Sequence, residues 1–290
     1  PSAREHLDQS FALYDLQQHR ANASLYGFDT GVFCLSFIAH ALWHLGYPQQ
    51  ALIKTQEALA LAHELAHPIS QAVALAYAAM LYQFRREEHA AREQAERAIA
   101  LCTEHGFAYY LAWAAIIQGW ILSAGGQPVE GMTQIRQGLA ALRATGAALR
   151  CPYYLGQLAD ACGKAGQAEE GLRVLDEALV LVEKTGERWR EAELYRLKGE
   201  LLLLQAVAAG FNPALTQEAE TCFWQGLDLA RRQQAKSLEL RAAMSLCRLW
   251  QQQGKRDQAR ELLAPVYGWF TEGFDTADLQ EAEALLQALG

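Results

Sequence analysis

One helix face is rebuilt every 40 residues along this chain, and no other feature constrains its fold as much. The triplet "LAL" at Leu59–Leu61 returns as "IAL" at Ile99–Leu101, then as "LAA" at Leu139–Ala141 and "LVL" at Leu179–Leu181. After a 48-residue step it returns once more as "LDL" at Leu227–Leu229. Turn residues keep the same register. Gly46, Gly126 and Gly166 lie multiples of 40 apart, Arg86 fills the missing slot, and Gly254 follows at 40 plus 48. Gly106, Gly146 and Gly186 form a second column. Glycine supplies the left-handed conformation that ends helices, so two columns mean two helix ends per repeat. A column of small residues (Ala51, Ala91, Gly131, Gly171, Ala219, Ala259) suits close approach of two helices.

Each 40-residue unit is therefore expected to be a helical hairpin. The pattern pairs helices 31–46 with 49–66, 69–84 with 87–105, 108–124 with 128–144, 152–164 with 168–184, 189–205 with 214–233, and 236–252 with 256–270. A final helix, 276–289, starts after Asp275-Thr276, a cap-like pair. The eight extra residues fall near "AVAAGFNP", where Pro213 opens the next helix. One hairpin cannot bury its apolar face alone, but about six stacked hairpins can. The expected fold is an all-α, right-handed superhelical solenoid with a C-terminal capping helix, forming one domain over 1–290. "FAL" at Phe11–Leu13 lies 48 residues before "LAL", so residues 1–25 read as the remnant of a preceding repeat. The start at Pro1, without an initiator Met and already helical in pattern, points to a piece of a longer protein.

Composition removes several function classes. The chain has 290 residues and a net charge of −8, with no basic stripe, which disfavours a nucleic-acid binder. Its densest charge run, "RREEHAAREQAER", alternates in sign and reads as a solvated helix face. Six scattered cysteines without a C-x-x-C pair read as reduced thiols that pack. The uncharged stretch 106–129 has the length of a membrane span. It also holds Gln118, glycines and Pro128 and lacks a flanking basic cluster, so a buried helix is the better reading.

The hairpins resemble tetratricopeptide repeats lengthened from 34 to 40 residues. The matching residues are Leu42, Leu45, Gly46 and Ala58 in one repeat, and Trp250, Gly254 and Ala259 in the last. A closer resemblance lies in "KTGERWREAELYRLKGELLL" (184–203), in "HRANASLYGFDTGVFCLSFIAHALWHLGYPQQAL", and in the stretch from "ARRQQAKSLEL" to "DTADLQEA". These are similar to the C-terminal superhelix of large bacterial signalling proteins. Such proteins carry a class III adenylate/guanylate cyclase or other output domain, followed by a STAND-type signal-transduction ATPase. The resemblance implies a non-catalytic, cytoplasmic sensor or partner-binding domain that takes a protein, a peptide or a small ligand. No nucleic acid, membrane or cofactor is implied. A passive scaffold is the alternative. The chain has no G-x-x-x-x-G-K-[ST] loop for a nucleotide.

Two histidine motifs need weighing. "HELAH" at His63–His67 matches the H-E-x-x-H signature of zinc peptidases. Its geometry is wrong: His67 precedes Pro68, which pushes it off the helix, and the slot of Ala66 is glycine in later repeats. His40 and His44 form a second i, i+4 pair, with no acidic or thiol partner in the pattern. No metal site and no catalytic set are expected.

The binding face is expected on the first helix of each hairpin, where aromatics are dense and charges few. Tyr77, Tyr109, Trp113 and Tyr153 are candidates there. By analogy with tetratricopeptide repeats, groove positions lie three and six residues before the turn slot. That phase selects Trp43 and His40, Gln83 and Met80, Ser123 and Trp120, Asp160, and Gln251 and Arg248.

Overall fold

The computed structural model describes residues 2–15, 23 and 27–290. Fourteen helices are seen among them: α1 (Ser2–Ala12), α2 (Thr30–His44), α3 (Pro48–Leu65), α4 (Pro68–Arg85), α5 (Glu88–His105), α6 (Ala108–Ala124), α7 (Pro128–Ala144), α8 (Cys151–Lys164), α9 (Ala168–Thr185), α10 (Glu191–Ala208), α11 (Pro213–Gln233), α12 (Lys236–Gln252), α13 (Arg256–Tyr267) and α14 (Ala277–Leu289). The described residues contain no strand. The fold is an all-α solenoid of paired helices, as the 40-residue period predicts. The expected remnant over 1–25 is helical over Ser2–Ala12, and part of it lies outside the described residues.

The helix ends show why the period holds. The chain turns left-handed at the same two slots in successive repeats, whatever the residue. One slot has Gly46, Arg86, Gly126, Gly166 and Gly254; the other has Ala66, Gly106, Gly146, Gly186 and Gln234. At the three non-glycine slots the turn is kept at a steric cost of roughly 1 kcal/mol per residue. Backbone bonds close these ends, as where Phe107 N–H donates to Cys102 O at 2.9 Å and Gln167 N–H to Cys162 O at 2.8 Å.

By their internal contacts the residues form two compact units. Unit 1 comprises 1–125 and 133–147, and unit 2 comprises 126–132 and 148–290. Within unit 1, α2 packs against its own second helix α3 and against the next first helix α4; within unit 2, α10 packs against α11 and α12 in the same way. In unit 1, α4 touches α2, α3, α5 and α6 and is buried all round from Ala72 to Leu81. The small-residue column allows this closeness. Ala51, Ala91, Ala219 and Ala259 are fully buried, and a Cβ on Gly171 would sit 3.2 Å from Ala159 O. Tyr14 docks the N-terminal segment onto α2. Its hydroxyl donates to Asp29 Oδ2 at 2.9 Å, and a Cβ on Gly31 would lie 2.7 Å from its ring. Asp29 in turn caps α2 by accepting from Val32 N–H at 2.9 Å. No helix among the described residues is long and apolar enough to cross a membrane.

Candidate functional site

The first helices, α2, α4 and α6 in unit 1 and α8, α10 and α12 in unit 2, carry the expected binding residues. The two sets are built from different chemistry.

In unit 1 the layer is a ladder of rings. Phe37 and His40 both pack on Tyr77 at 5.0 Å between centroids, Trp43 packs on Phe84 at 4.9 Å, and Tyr77 meets Trp113 edge-on at 4.8 Å. Tyr109 and Tyr110 extend the ladder from Trp113 at 6.2 and 6.1 Å. Such pairs add about 0.5–1.5 kcal/mol each beyond the area they bury. The His40/His44 pair has a structural explanation. A carbonyl can only accept, so His40 donates its Nε2–H to Tyr77 O at 2.9 Å, and His44 its Nδ1–H to His40 O at 2.8 Å. The residues expected to line a groove in this unit lie inside the layer. Trp43, Tyr77, Met80, Gln83, Trp113, Trp120 and Ser123 are all buried, with Met80 and Trp113 at 0% exposure, and His40 is only slightly more open. A helix this aromatic lowers its free energy by packing on its neighbours. Of the unit 1 candidates only Tyr109 is partly open to solvent.

In unit 2 the layer is a chain of charges. Tyr153 is buried beneath the Arg190 guanidinium, which stands 5.5 Å over its ring and 5.8 Å from that of Trp189. Arg196 grips Glu193 with two hydrogen bonds of 2.9 Å, and Arg241 and Arg190 reach the same carboxylate at 3.7 and 4.0 Å. Arg241 also donates to Asp278 Oδ2 on α14 at 2.8 Å. Ser245 donates to Glu200 at 2.6 Å, and Arg196 reaches Glu200 at 3.4 Å. Burial alone would raise the Glu193 carboxyl, but Arg196, Arg241 and Arg190 outweigh it and hold it down at about 2. Burial pulls the Arg190 guanidinium down to about 10, while Glu193 pulls Arg196 the other way, upward.

The solvent-facing margin of this network holds the remaining candidates. Arg248 pairs with Glu281 at 2.8 Å and is 43% exposed, and Asp160 pairs with Lys164 at 2.8 Å. Gln251 is half-buried beside them in sequence. Glu193, Arg196, Glu200 and Glu281 were not expected at the site. Their spacing of three and four residues along predicted first helices could have flagged the first three. Glu281 belongs to the expected cap and gave no such signal.

HELAH is broken as its flanking residues predict. α3 stops at Leu65, Ala66 turns left-handed, and His67 caps α4, with Nδ1 2.9 Å from Ser70 Oγ. His63 and His67 therefore share no helix. No group of three His, Cys, Asp or Glu side chains comes together for a metal among the described residues. All six cysteines are buried, and burial pushes the Cys102 thiol up to about 11.

No family model matches the chain. It is 26% identical over 236 residues to an uncharacterized protein of Rhizobium meliloti (strain 1021), matching 81% of this chain and 22% of that protein. The chain thus spans about a fifth of that relative's length. Among solved structures, yeast Tom70 is similar at a TM-score of 0.55 and 14% identity, over 99% of this chain and 59% of Tom70. The TPR2AB domain of yeast Sti1, in complex with pHSP90, is similar at 0.36 and 10% identity, over 89% of this chain and 98% of that one. The likeness to Tom70 extends over the whole chain and is one of fold: these helices form a tetratricopeptide-like solenoid.

Proposed function

We propose that this chain is a non-catalytic protein-interaction domain whose partner docks on the solvent-facing polar margin of unit 2. Asp160, Glu200, Arg248, Gln251 and Glu281 would make the contacts. The observation that carries this reading is the contrast in access. The first-helix layer of unit 1 is filled by its own rings, whereas in unit 2 charged side chains of α8, α10, α12 and α14 stand partly in water. Partly exposed arginines and carboxylates can exchange their present partners for those of an incoming chain at small cost, because exposed pairs contribute only about 0–1 kcal/mol. In the larger protein the domain would report partner binding to a STAND-type signalling ATPase with nucleotide cyclase output in the cytoplasm. The resemblance of segments 184–203 and 230–282 supports that context.

Peptide display against the 290-residue chain, followed by binding measurements on substituted chains, tests the site. Selected peptides should bind R248A and D160A at least tenfold more weakly. Peptides that bind both variants as they bind the parent chain contradict the proposal. The signalling role is tested separately: ATP hydrolysis and cyclase output of the full-length protein should change when Arg248 and Glu281 are exchanged for one another's charge.

A further inference from the structure

The last hairpin departs from the repeat in a way that sets α14 apart. Second helices stop at a common slot, seen at Leu65, His105 and Thr185 and, after the 48-residue step, at Gln233. In the sixth hairpin that slot falls at residue 273, yet α13 stops at Tyr267, two residues past its internal Pro265. The connection to α14 is stretched as a result. Earlier second helices reach the next first helix through two, two, six, five and two residues, whereas 268–276 takes nine. Phe270 anchors this segment in the core, and six residues, 271–276, run from there to α14 with Gly273 at φ +75°. A tether of that length lets α14 move without unwinding α13.

α14 sits on α12 and α13 by one face only. Its carboxylates at i and i+3 meet arginines at i and i+7 of α12: Arg241 donates to Asp278 at 2.8 Å, and Arg248 donates to Glu281 at 2.8 Å. Leu279, Ala282, Leu285 and Leu289 share a buried cluster with Met244 of α12 and Leu263 of α13. The opposite face is in water, with Gln280, Glu283 and Gln287 exposed, whereas α4 is buried all round from Ala72 to Leu81. α14 carries three acidic residues and no basic one, so the two arginines select it by charge as the cluster selects it by shape. Its departure would not strand the deeper arginine, because Arg241 also lies 3.7 Å from Glu193.

We infer that the α12–α13 face is a helix-binding surface held in cis by α14, and that the partner's docking segment is an acidic amphipathic helix of the form D-L-x-E-A-x-x-L-x-x-x-L that takes α14's place. This partner class rests on the proposed function, with Arg248 as the exchangeable group and its bond to Glu281 as the contact exchanged. α14 shows what the surface accepts: two carboxylates one turn apart, followed by an apolar stripe. The tethered helix competes at high local concentration. A free helix therefore binds the closed chain weakly and gains affinity when α14 is weakened.

A fluorescent peptide with the sequence of residues 275–290, titrated against the 290-residue chain, tests this. The parent chain should bind it weakly. L285A removes an apolar contact of α14 alone and should raise peptide affinity at least tenfold. R248E should weaken binding of this peptide at least tenfold relative to binding of a peptide carrying E281R, whether or not L285A is also present. No gain in L285A, or no preference of R248E for the E281R peptide, would overturn the inference. Dimers of the parent chain that grow with concentration would assign the face to α14 of a second copy and overturn it too. Display-selected peptides that need Arg248 yet leave the α14 peptide bound would overturn it while the proposed function stands; indifference of all of them to R248A would overturn both.

Discussion

The first helices of unit 1, and those of unit 2 with the capping helix α14, are held by opposite means. α2, α4 and α6 interlock through His40, Trp43, Tyr77, Phe84 and Trp113, whereas α10, α12 and α14 are bound through Glu193, Arg196, Arg241 and Asp278. Rings gain from contact on every side, so a ring-built layer closes and leaves little for a partner. Charges must be paired but keep their value at a wet margin, so a charge-built layer can stay partly open. The repeat supplies the backbone, and side-chain type decides which stretch is available for binding.

The largest effects should come from breaking each layer at its centre. W113A empties a fully buried site that contacts Tyr77, Tyr109 and Tyr110, and should cost about 3–5 kcal/mol in urea unfolding. E193Q leaves three guanidinium groups around a neutral amide and should cost a similar ~3–5 kcal/mol, as expected when one member of a buried ion cluster is removed.

The charge layer also has a pH signature in the acid range. The Glu193 carboxyl is held at about 2 in the folded chain, against an ordinary value of 4.5. Its folded pKa is depressed, so its contribution is complete above about 4.5 and is lost as pH falls from there towards 2. Acid titration of the parent chain followed by circular dichroism should show a loss of stability in that window, and E193Q should flatten it.

These equivalent layers also show what the sequence could tell. The period, the two turn slots and the place of the insertion were legible because they are backbone requirements repeated several times: Gly46, Gly126, Gly166 and Gly254 mark one helix end by residue type alone. Gln234 fills the second slot without a glycine and could be placed only by counting. The groove candidates were selected by register, which fixes a direction from the helix axis but not what fills the space beyond it. His40 and Arg248 hold equivalent positions, and one is buried against Tyr77 while the other reaches water beside Glu281. Only the neighbouring side chains, distant in sequence, make that difference.

Smaller perturbations sharpen the contrast. H40L should cost about 1–3 kcal/mol, because Tyr77 O loses its Nε2–H donor in a buried layer. R248A should change stability by no more than about 1 kcal/mol, since its pair with Glu281 is exposed, while still weakening partner binding.

Hydrogen exchange read helix by helix, comparing E193Q with the parent chain at neutral pH, tests the central claim most directly. The two-chemistry account predicts that α10, α12 and α14 lose protection while α2, α4 and α6 keep theirs. Equal loss in both sets of helices, or full protection of α10 and α12 without the Glu193 carboxylate, would contradict it.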